Sequence, residues 1–436
     1  MRTTPLLLTS VLTAAALAAL PSAAQAKAPA KAGDFNGDGK TDLVLGGPSL
    51  VKRGLVGPGL VAVLYGKTGR KQVITRDTKA VAAVAEHGDG FGGSTASADF
   101  DRDGYADLAV TGPEEDGVTL IYGSKKGLSG RVAFLKTAAS SPSWVPALAT
   151  GDLDRDGYPD LVATVANRYW VFAKVNKGKK QDGAAGELAE QDGTKPARLL
   201  PVISDFTGDG RPDLVLGATS NGTTRLLKNS PDGLTDPVAV PGLNVAPTLV
   251  AGDLDGDGNS DLVAGGWGRV LIYPGRPGGF AKPKSFTSRT AGVPVSGDGH
   301  SFGTALAIGD VNRDGRADLV VGAPYAGVKN SGQVVLLYGH KTGVTTKGAL
   351  LFSQKTKAFK ASSERGDDFG MAVRLLDLSG DKGAELVIGS PGEDKDTGRL
   401  YVLASKKGKP TASGARQYRP KDFGLGGIRF GSHLLP

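Results

Sequence analysis

The chain has 436 residues, a formal net charge of +8, 66 glycines, 25 prolines and no cysteine. Without thiols it can form no disulfide bond, no thiolate metal site and no lipid attachment through cysteine. A net positive charge would suit a polyanionic partner such as a cell-envelope polymer. Alternatively, the positive charge comes from scattered lysines that keep an exported protein soluble. We do not expect a nucleic-acid partner.

Residues 1–26 have the composition of a secretory signal peptide. Arg2 supplies a positive charge, residues 6–20 are apolar, and Ala24, Gln25 and Ala26 match a small-x-small cleavage site. We expect cleavage after Ala26 and a secreted, extracellular protein. A transmembrane anchor is the alternative, but the apolar run is short and polar residues follow it. No other stretch approaches the roughly 18 apolar residues that span a bilayer.

Beyond this leader, an acidic loop of nine residues recurs seven times. The copies occupy residues 34–42, 99–107, 152–160, 205–213, 253–261, 310–318 and 377–385. The fifth copy, DLDGDGNSD, has carboxylates at loop positions 1, 3, 5 and 9 and glycine at position 6. Such a loop wraps oxygen atoms around one point, as calcium requires, with oxygen ligands at about 2.3–2.6 Å.

Short apolar runs flank the loops in a constant order. In the sixth repeat, residues 304–308 precede the loop, 319–321 follow it, 334–338 come after a turn, and a weaker run lies around 348–352. Runs of this length bounded by Gly, Pro and Asp indicate strands. Four strands in each of seven units predict an all-β, seven-bladed β-propeller over residues 27–436, with solenoids and sandwiches as alternatives.

The two ends of the mature chain favour ring closure. The first loop follows the leader so closely that the first unit lacks its leading strand. Residues 430–435, FGSHLL, are similar to the leading strand of the sixth unit, FGTAL at residues 302–306. We therefore expect the last segment to complete the first blade, which removes the free edges of an open array.

These motifs resemble the FG-GAP repeat, the blade unit of the integrin α-subunit propeller and of bacterial integrin-like proteins. The FG element occurs at residues 91–92, 302–303, 369–370 and 430–431, and the GAP element at 322–324, with variants at 46–48, 112–113 and 389–391. Units three to five keep the loop without these signatures and look more like the VCBS-type variant. The resemblance implies calcium in the turn between the first two strands, on the lower face, and partner binding on the upper face.

For each loop we expect side-chain oxygens at positions 1, 3, 5 and 9 and the backbone carbonyl at position 7 to bind Ca²⁺. The strongest loops contribute Asp99, Asp101, Asp103, Tyr105 and Asp107; Asp152, Asp154, Asp156, Tyr158 and Asp160; and Asp253, Asp255, Asp257, Asn259 and Asp261. The first, fourth and sixth loops contribute Asp34, Asn36, Asp38, Lys40 and Asp42; Asp205, Thr207, Asp209, Arg211 and Asp213; and Asp310, Asn312, Asp314, Arg316 and Asp318.

The seventh loop, with Asp377, Ser379, Asp381 and Glu385, has Lys382 in place of the turn glycine. We expect it to bind weakly or to stay empty, which leaves about six calcium sites. Magnesium is a poorer candidate, because it prefers a tighter octahedron that keeps several waters. Metal-free, Asx-rich turns are the other alternative, but clustered carboxylates repel one another when no cation is present.

We expect no catalytic residue, because no GxSxG, HExxH or P-loop pattern occurs. His87 and His300 both precede the FG element of their units, and the repeat itself explains that placement. Arg365, Gly366 and Asp367 spell a tripeptide that many integrins recognise, and we interpret it as part of the repeat. Two other functions stay open: a calcium-dependent propeller lectin or wall-polymer binder, and an extracellular polysaccharide hydrolase or lyase.

Ring closure would place unit seven beside unit one, so units six, seven, one and two would form one arc. Long loops on a rigid scaffold often carry function. We therefore predict a partner-binding surface on residues 46–60, 86–90, 112–117, 296–301, 323–332, 364–368 and 389–398. The chain is expected to be a monomeric binding or adhesion module for an extracellular protein or glycan, without enzyme activity.

Overall fold

The computed structural model describes seven β-sheets in chain order, six with four strands and one with five. The described residues are 28–47, 51–52, 55–56, 59–78, 81, 90–111, 117–129, 132–136, 147–175, 181–182, 184–187, 198–220, 222–266, 268–297, 299–359, 361–426 and 429–435. The leader, residues 1–26, therefore lies outside them. No helix among the described residues is long and apolar enough to cross a membrane. The predicted all-β, seven-bladed propeller is confirmed.

The first two blades differ slightly from the repeating plan of four antiparallel strands. Blade one pairs, in order, His433–Leu435, Leu43–Gly47, Leu60–Leu64 and Lys71–Ile74. Blade two pairs Thr95–Ala98, Asp107–Thr111, Val118–Ile121 and Val132–Lys136, with Gln181–Asp182 as a fifth, parallel strand.

The other five blades follow the plan without additions. Blade three pairs Ala147–Gly151, Asp160–Val165, Arg168–Phe172 and Ala184–Glu187, and blade four pairs Leu199–Ser204, Asp213–Ala218, Arg225–Leu227 and Val238–Ala239. Blade five pairs Thr248–Gly252, Asp261–Gly266, Arg269–Tyr273 and Lys284–Thr287. Blade six pairs Ala305–Gly309, Asp318–Ala323, Gln333–His340 and Gly343–Phe352, and blade seven pairs Ala372–Leu376, Glu385–Ser390, Arg399–Leu403 and Arg416–Tyr418.

Smaller elements decorate the blades. Four short hairpins are each formed by two strands of two residues: Val51–Lys52 with Leu55–Val56, Asn229–Ser230 with Gly233–Leu234, Gly275–Arg276 with Gly279–Phe280, and Ser405–Lys406 with Lys409–Pro410. Single helical turns occur at Gly299–Ser301, Val328–Asn330, Lys357–Phe359, Glu393–Asp396 and Pro420–Phe423. The fourth strand of blade six is longer than predicted, because Gly343, with a φ of 102°, lets the chain reverse directly after His340.

The C-terminal strand closes the ring as the sequence predicts. Leu435 pairs with Val44, Leu434 with Leu45 and His433 with Gly46, all antiparallel. Blade one is therefore built from both ends of the chain, and its Leu43–Gly47 strand has no unpaired edge. Leu434 and Leu435 are buried in clusters that join blade one to its two neighbours.

The apolar core is divided into seven clusters, one at each joint between neighbouring blades. The second strand of every blade is completely buried, because both faces of each sheet pack against another sheet. Continuous apolar runs, rather than alternating ones, follow from that two-sided burial. Among the described residues, the joint between blades three and four has the smallest cluster, with six buried residues against 17 at the joint between blades six and seven.

The FG and GAP signatures meet across these joints. The FG phenylalanines are buried, and the first glycine of the three described GAP elements, at residues 46, 322 and 389, lies against the FG glycine of the next blade. A Cβ atom would approach that glycine's carbonyl oxygen to 2.2 Å at Gly322 and 2.0 Å at Gly389. Only a residue without a side chain allows this backbone approach. The signatures are therefore packing devices that set the distance between blades.

Candidate metal loops and upper face

All seven acidic loops fold into the same turn. The N–H at position 6 donates to the second carboxylate oxygen of position 1 over 2.8–3.0 Å. The six glycines at position 6 have φ values of 77–91°, and Lys382 takes a φ of 69° at the same place. The loss of glycine in the seventh loop therefore does not unfold its turn.

Positions 3 and 5 use one oxygen each to brace the loop. In the second loop, the N–H of Asp103 donates to Asp101 over 3.2 Å, and that of Tyr105 donates to Asp103 over 3.1 Å. The same pattern of position-7 N–H to position-5 carboxylate joins Lys40 to Asp38, Tyr158 to Asp156, Arg211 to Asp209, Asn259 to Asp257 and Arg316 to Asp314. These hydrogen bonds aim several oxygens into the loop.

Position 9 has a structural role that sequence reasoning missed. Its carboxylate accepts the N–H of position 2 in all seven loops, over 2.8–3.1 Å. In five loops the other oxygen also accepts an N–H from a residue just after the third strand or, in the sixth loop, from Gly339 near the end of that strand. The available signal was that position 9 directly precedes or begins the second strand in every blade, which places Asp107 and its equivalents at the edge of the buried sheet.

Burial makes these carboxylates costly to ionise. It raises the pKa of Asp107 to about 8 and of Asp42 to about 7, and neighbouring loop carboxylates raise both further. The pKa values of Asp160, Asp261 and Asp318 rise to about 6 for the same first cause. A bound cation would oppose both effects, because it stabilises the charged form.

Three loops bring carboxylates close enough to hold one ion. The groups are Asp99, Asp101 and Asp107; Asp152, Asp154 and Asp160; and Asp253, Asp255 and Asp257, each with ligand atoms within 4.8 Å of one another. These are the three loops for which the sequence predicts the strongest binding. The structure therefore has acidic clusters that could bind a metal ion at the predicted places.

The remaining loops are altered at single positions. The amide nitrogens of Asn36 and Asn312 donate to the position-5 carboxylates over 3.1 Å in the first and sixth loops. In the fourth loop, the buried Thr207 occupies position 3, and its N–H donates to the Asp213 carboxylate over 3.1 Å. In the seventh, Asp381 forms an ion pair with Arg313 of the sixth loop. The guanidinium of Arg313 therefore already neutralises one carboxylate of the seventh loop.

A belt of backbone hydrogen bonds links successive loops around the ring. The N–H at position 8 donates to the carbonyl at position 1 of the preceding loop, over 2.8–3.1 Å. The observed pairs are Thr41 to Asp377, Ala106 to Asp34, Ser260 to Asp205, Ala317 to Asp253 and Ala384 to Asp310. Pro159 and Pro212 occupy position 8 in the third and fourth loops and have no N–H to donate. The belt is therefore interrupted at the joints between blades two and three and between blades three and four.

The described loops on the upper face are held together by side-chain hydrogen bonds. Gln333 bridges to Ser296 through its amide oxygen and nitrogen, over 2.9 and 3.0 Å. The hydroxyls of Ser331 and Ser363 lie 2.6 Å apart and join blades six and seven. The predicted loops at 86–90 and 112–117 fall wholly or mostly outside the described residues, as does part of 46–60.

Other residues singled out in the sequence have ordinary surroundings. His300 is exposed in a single helical turn, whereas His87 lies outside the described residues. Asp367 of the integrin-recognised tripeptide is buried and accepts the N–H of Glu364, so its carboxylate is not presented to a partner. Trp170 fills the joint between blades two and three, and Trp144 and Trp267 lie outside the described residues.

Family models identify the repeat along the chain. The FG-GAP repeat matches residues 31–64, 144–185 and 302–337. The FG-GAP-like repeat matches residues 99–163 and 205–264. These matches coincide with the loop-containing parts of six blades, including the middle blades that lack the FG and GAP signatures.

Several curated proteins are similar over part of this chain. Integrin alpha pat-2 of Caenorhabditis briggsae is 29% identical over 269 residues, which are 60% of this chain and 18% of the integrin. Phosphatidylinositol-glycan-specific phospholipase D of Rattus norvegicus is 30% identical over 188 residues, which are 40% of this chain and 22% of that protein. The chain thus spans about a fifth of the length of these relatives.

Among solved structures, a lectin of Agrocybe aegerita that recognises non-reducing terminal N-acetylglucosamine has a similar fold. The superposition has a TM-score of 0.52 and covers 87% of this chain and 90% of the lectin, at 14% sequence identity. At this identity the similarity concerns the fold alone.

Proposed function

Since this chain is a seven-bladed FG-GAP repeat protein of the integrin-like type, we propose that it is a secreted, calcium-stabilised binding module without catalytic activity. One propeller, residues 27–436, follows a cleaved leader, residues 1–26. The partner is an extracellular protein or glycan, and an anionic envelope polymer fits the net charge of +8. One observation carries this function: the loops with ligand chemistry form a ring on one face, which leaves the opposite face for a partner.

Buried oxygen atoms without a donor support the calcium part of this function. In the third loop, Asp152 Oδ1 and Asp160 Oδ1 are buried and accept no hydrogen bond from any described residue. Such atoms are costly to leave unsatisfied. A hard cation bound there would supply the missing positive charge, and loops lined by oxygen alone favour calcium.

We propose about six occupied loops, bound by the residues assigned from the sequence. The three carboxylate clusters have the most charge and would bind most tightly. The loops with Asn36, Asn312 and Thr207 would bind more weakly. In the seventh loop, Arg313 already neutralises Asp381, which supports weak or absent binding there.

Elemental analysis and thermal melting of the processed protein test the calcium sites. We expect bound calcium after dialysis and a clearly lower melting temperature in EDTA than in millimolar CaCl₂. Asp154→Ala in the third loop, which removes the position-3 oxygens altogether, should lower the stoichiometry by about one ion. Ser379→Ala in the seventh loop, the matched control, should leave it unchanged. Identical melting with and without calcium, and no bound ion, would contradict the assignment.

For the partner we propose the upper face of the arc from blade six to blade two. Tyr325 and Val328, in the connection of blade six, are each 49% exposed although the loop itself is tied down. The N–H of Tyr325 donates to the Ser301 hydroxyl over 3.0 Å. Exposed aromatic and aliphatic groups on a rigid support suit a binding surface, because little entropy is lost when a partner binds.

Alanine blocks in residues 296–301, 323–332, 364–368 and 389–398 test this surface. A pull-down from native cell envelope, with and without calcium, should lose the partner when these loops change. A block at residues 217–223, on the opposite side of the ring, serves as the control. Loss of binding from the control block alone would place the partner surface elsewhere.

The lectin or wall-polymer alternative is a specific form of the same function, and glycan-array binding decides it. The hydrolase or lyase alternative has one supporting observation, the similarity to a phospholipase D, which covers 22% of that enzyme. Activity assays on polysaccharides, with EDTA-treated controls, test it. Turnover that survives purification to homogeneity would replace a binding function by a catalytic one.

A further inference from the structure

A cleft of about 360 Å³ opens where blade seven meets the segment that leads to the closing strand. Its lining includes Arg419, Lys421, Pro420 and Leu425 on one side and Asp394 and Thr397 on the other. The N–H of Arg429 donates to the Asp396 carbonyl over 2.6 Å, and that of Phe430 donates to Thr397 over 3.1 Å. These bonds hold one wall, residues 394–397, against the start of the closing segment beside the cleft.

Asp394, which lines the cleft, belongs to an ionic network that is otherwise buried. Arg399 is 4% exposed and donates from Nη2 to both oxygens of Asp394 over 2.8 Å. Its Nη1 donates to Gln417 over 3.2 Å, and Nη2 lies 3.4 Å from the buried Glu393. Asp394 is thus held in place from below, so that its carboxylate can orient a group above it.

Arg419 is that group. Its Nε donates to Asp394 over 3.2 Å, whereas its two terminal nitrogens have no acceptor among the described residues. The ammonium group of Lys421 also has no acceptor there, and among the lining residues the two cations outnumber the single carboxylate. Two parallel N–H groups of a guanidinium match the two oxygens of a carboxylate.

The backbone beside the cleft is strained. Asp394, Lys395 and Asp396 have φ values of 55°, 61° and 62°, so three successive residues with side chains form a left-handed turn. This conformation is unfavourable for a residue with a Cβ atom. Strain of this kind persists where the surroundings fix it, and it concentrates at ligand-binding sites. Here Arg399 and Arg429 hold the turn through Asp394 and Asp396.

We propose that this cleft binds a carboxylated sugar residue, a uronate, of an extracellular polysaccharide. Arg419 would pair with the carboxylate and Lys421 would add a second positive charge. Pro420 and Leu425 would contact the apolar side of the sugar ring, and the Thr397 hydroxyl would bond to a ring hydroxyl. A cleft of this volume, with charged groups beside an apolar wall, lies within the size range of small-ligand sites. This assignment rests on the proposed binding function and names a ligand class for it.

The test uses the full processed chain with calcium and follows ligand NMR signals. Glucuronate and galacturonate should bind, and their methyl esters should bind at least about tenfold more weakly, because the charge that Arg419 recognises is gone. Arg419→Lys keeps the charge and removes the fork, and Lys421→Ala removes one charge; each should weaken uronate binding about tenfold. Lys406→Ala, in a hairpin after the third strand of blade seven, is the matched control and should bind normally.

Equal binding of acid and ester, or tighter binding of glucose 6-phosphate than of either uronate, would overturn the carboxylate assignment. So would unchanged uronate binding in Arg419→Lys. If wild-type protein binds no uronate but still captures an envelope partner through its upper loops, the cleft assignment fails and the binding function stands. If it captures neither, both fail.

Discussion

At the scale of single residues, Lys382 shows that a residue with a side chain can occupy the glycine position of an acidic loop. It adopts a φ of 69° where the other six loops have glycine, and its N–H still donates to Asp377 over 3.0 Å. A side chain in this conformation costs about 1–2 kcal/mol. Lys382→Gly should therefore raise the free energy of unfolding by about 1 kcal/mol in EDTA.

Urea denaturation measures this change. Lys382→Ala is the control, because it removes the charge and keeps the Cβ atom that causes the strain. The two substitutions should differ in the free energy of unfolding, and equal values would show that charge rather than backbone strain sets the stability of the seventh loop.

Glu393 should make stability depend on pH. Burial raises its pKa to about 7; Arg399 lowers it, and Asp367, Asp394 and Glu364 raise it further. Because this pKa lies above the 4.5 of a free glutamate, the group favours folding at low pH, and that contribution is lost as the pH rises through about 7. In Glu393→Gln, the free energy of unfolding should fall less between about pH 5 and pH 8 than in the wild type.

Urea midpoints across that range, at constant ionic strength and in EDTA, give the comparison. Asp232→Asn, which removes an exposed carboxylate from the hairpin after the third strand of blade four, should retain the wild-type slope. Parallel curves for wild type and Glu393→Gln would mean that Glu393 ionises normally in the folded protein.

At the scale of elements, the contact between GAP and FG glycines should tolerate no side chain. A Cβ atom at Gly389 would lie 2.0 Å from the Gly431 carbonyl oxygen, so the closing strand would have to move. Gly389→Ala should lower the free energy of unfolding by about 2–3 kcal/mol. Gly348→Ala is the control: its φ is 79°, which Gly389 does not share, but nothing lies within 4 Å of the added atom. A loss of no more than about 1 kcal/mol is expected there.

The repeated strands and loops of the blades are the features that the sequence predicts well. Repeated apolar runs and acidic loops identify seven blades, and the similarity between residues 302–306 and 430–435 identifies the closing strand. The structural role of position 9 was harder to predict. A carboxylate in an acidic loop looks like a metal ligand, whether or not it also accepts backbone N–H groups of the blade. The ion pair between Arg313 and Asp381 could not be predicted, since it joins side chains of different blades.

Backbone contacts between blades are also not predictable from the local sequence. Blade five lacks a GAP element, yet a Cβ atom at Gly265 would lie 2.4 Å from the carbonyl oxygen of Gly303. That close approach follows from the FG element of blade six, not from the sequence around Gly265. The cleft near Arg419 likewise depends on how the closing segment crosses blade seven, and no local pattern encodes it.

At the scale of the whole molecule, the ring should open first between blades three and four. That joint has the smallest apolar cluster, with six buried residues among those described. Pro212 also removes the backbone hydrogen bond that other loops make to the preceding blade. A side-chain bond from Asn229 to the Leu153 carbonyl, over 2.6 Å, takes its place. One hydrogen bond contributes about 1 kcal/mol, which is small beside a buried apolar cluster.

Native-state hydrogen exchange in low concentrations of urea tests this order of opening. Amides of Asp160–Val165 and Asp213–Ala218, the second strands on either side of this joint, should exchange through the opening of lowest free energy. Those of Asp318–Ala323 and Glu385–Ser390, which flank the 17-residue cluster between blades six and seven, should exchange last. Because every joint is part of one closed ring, opening the first joint exposes the facing surfaces of both blades at the same time. Simultaneous exchange of all four strands would instead show that the ring unfolds as a single cooperative unit.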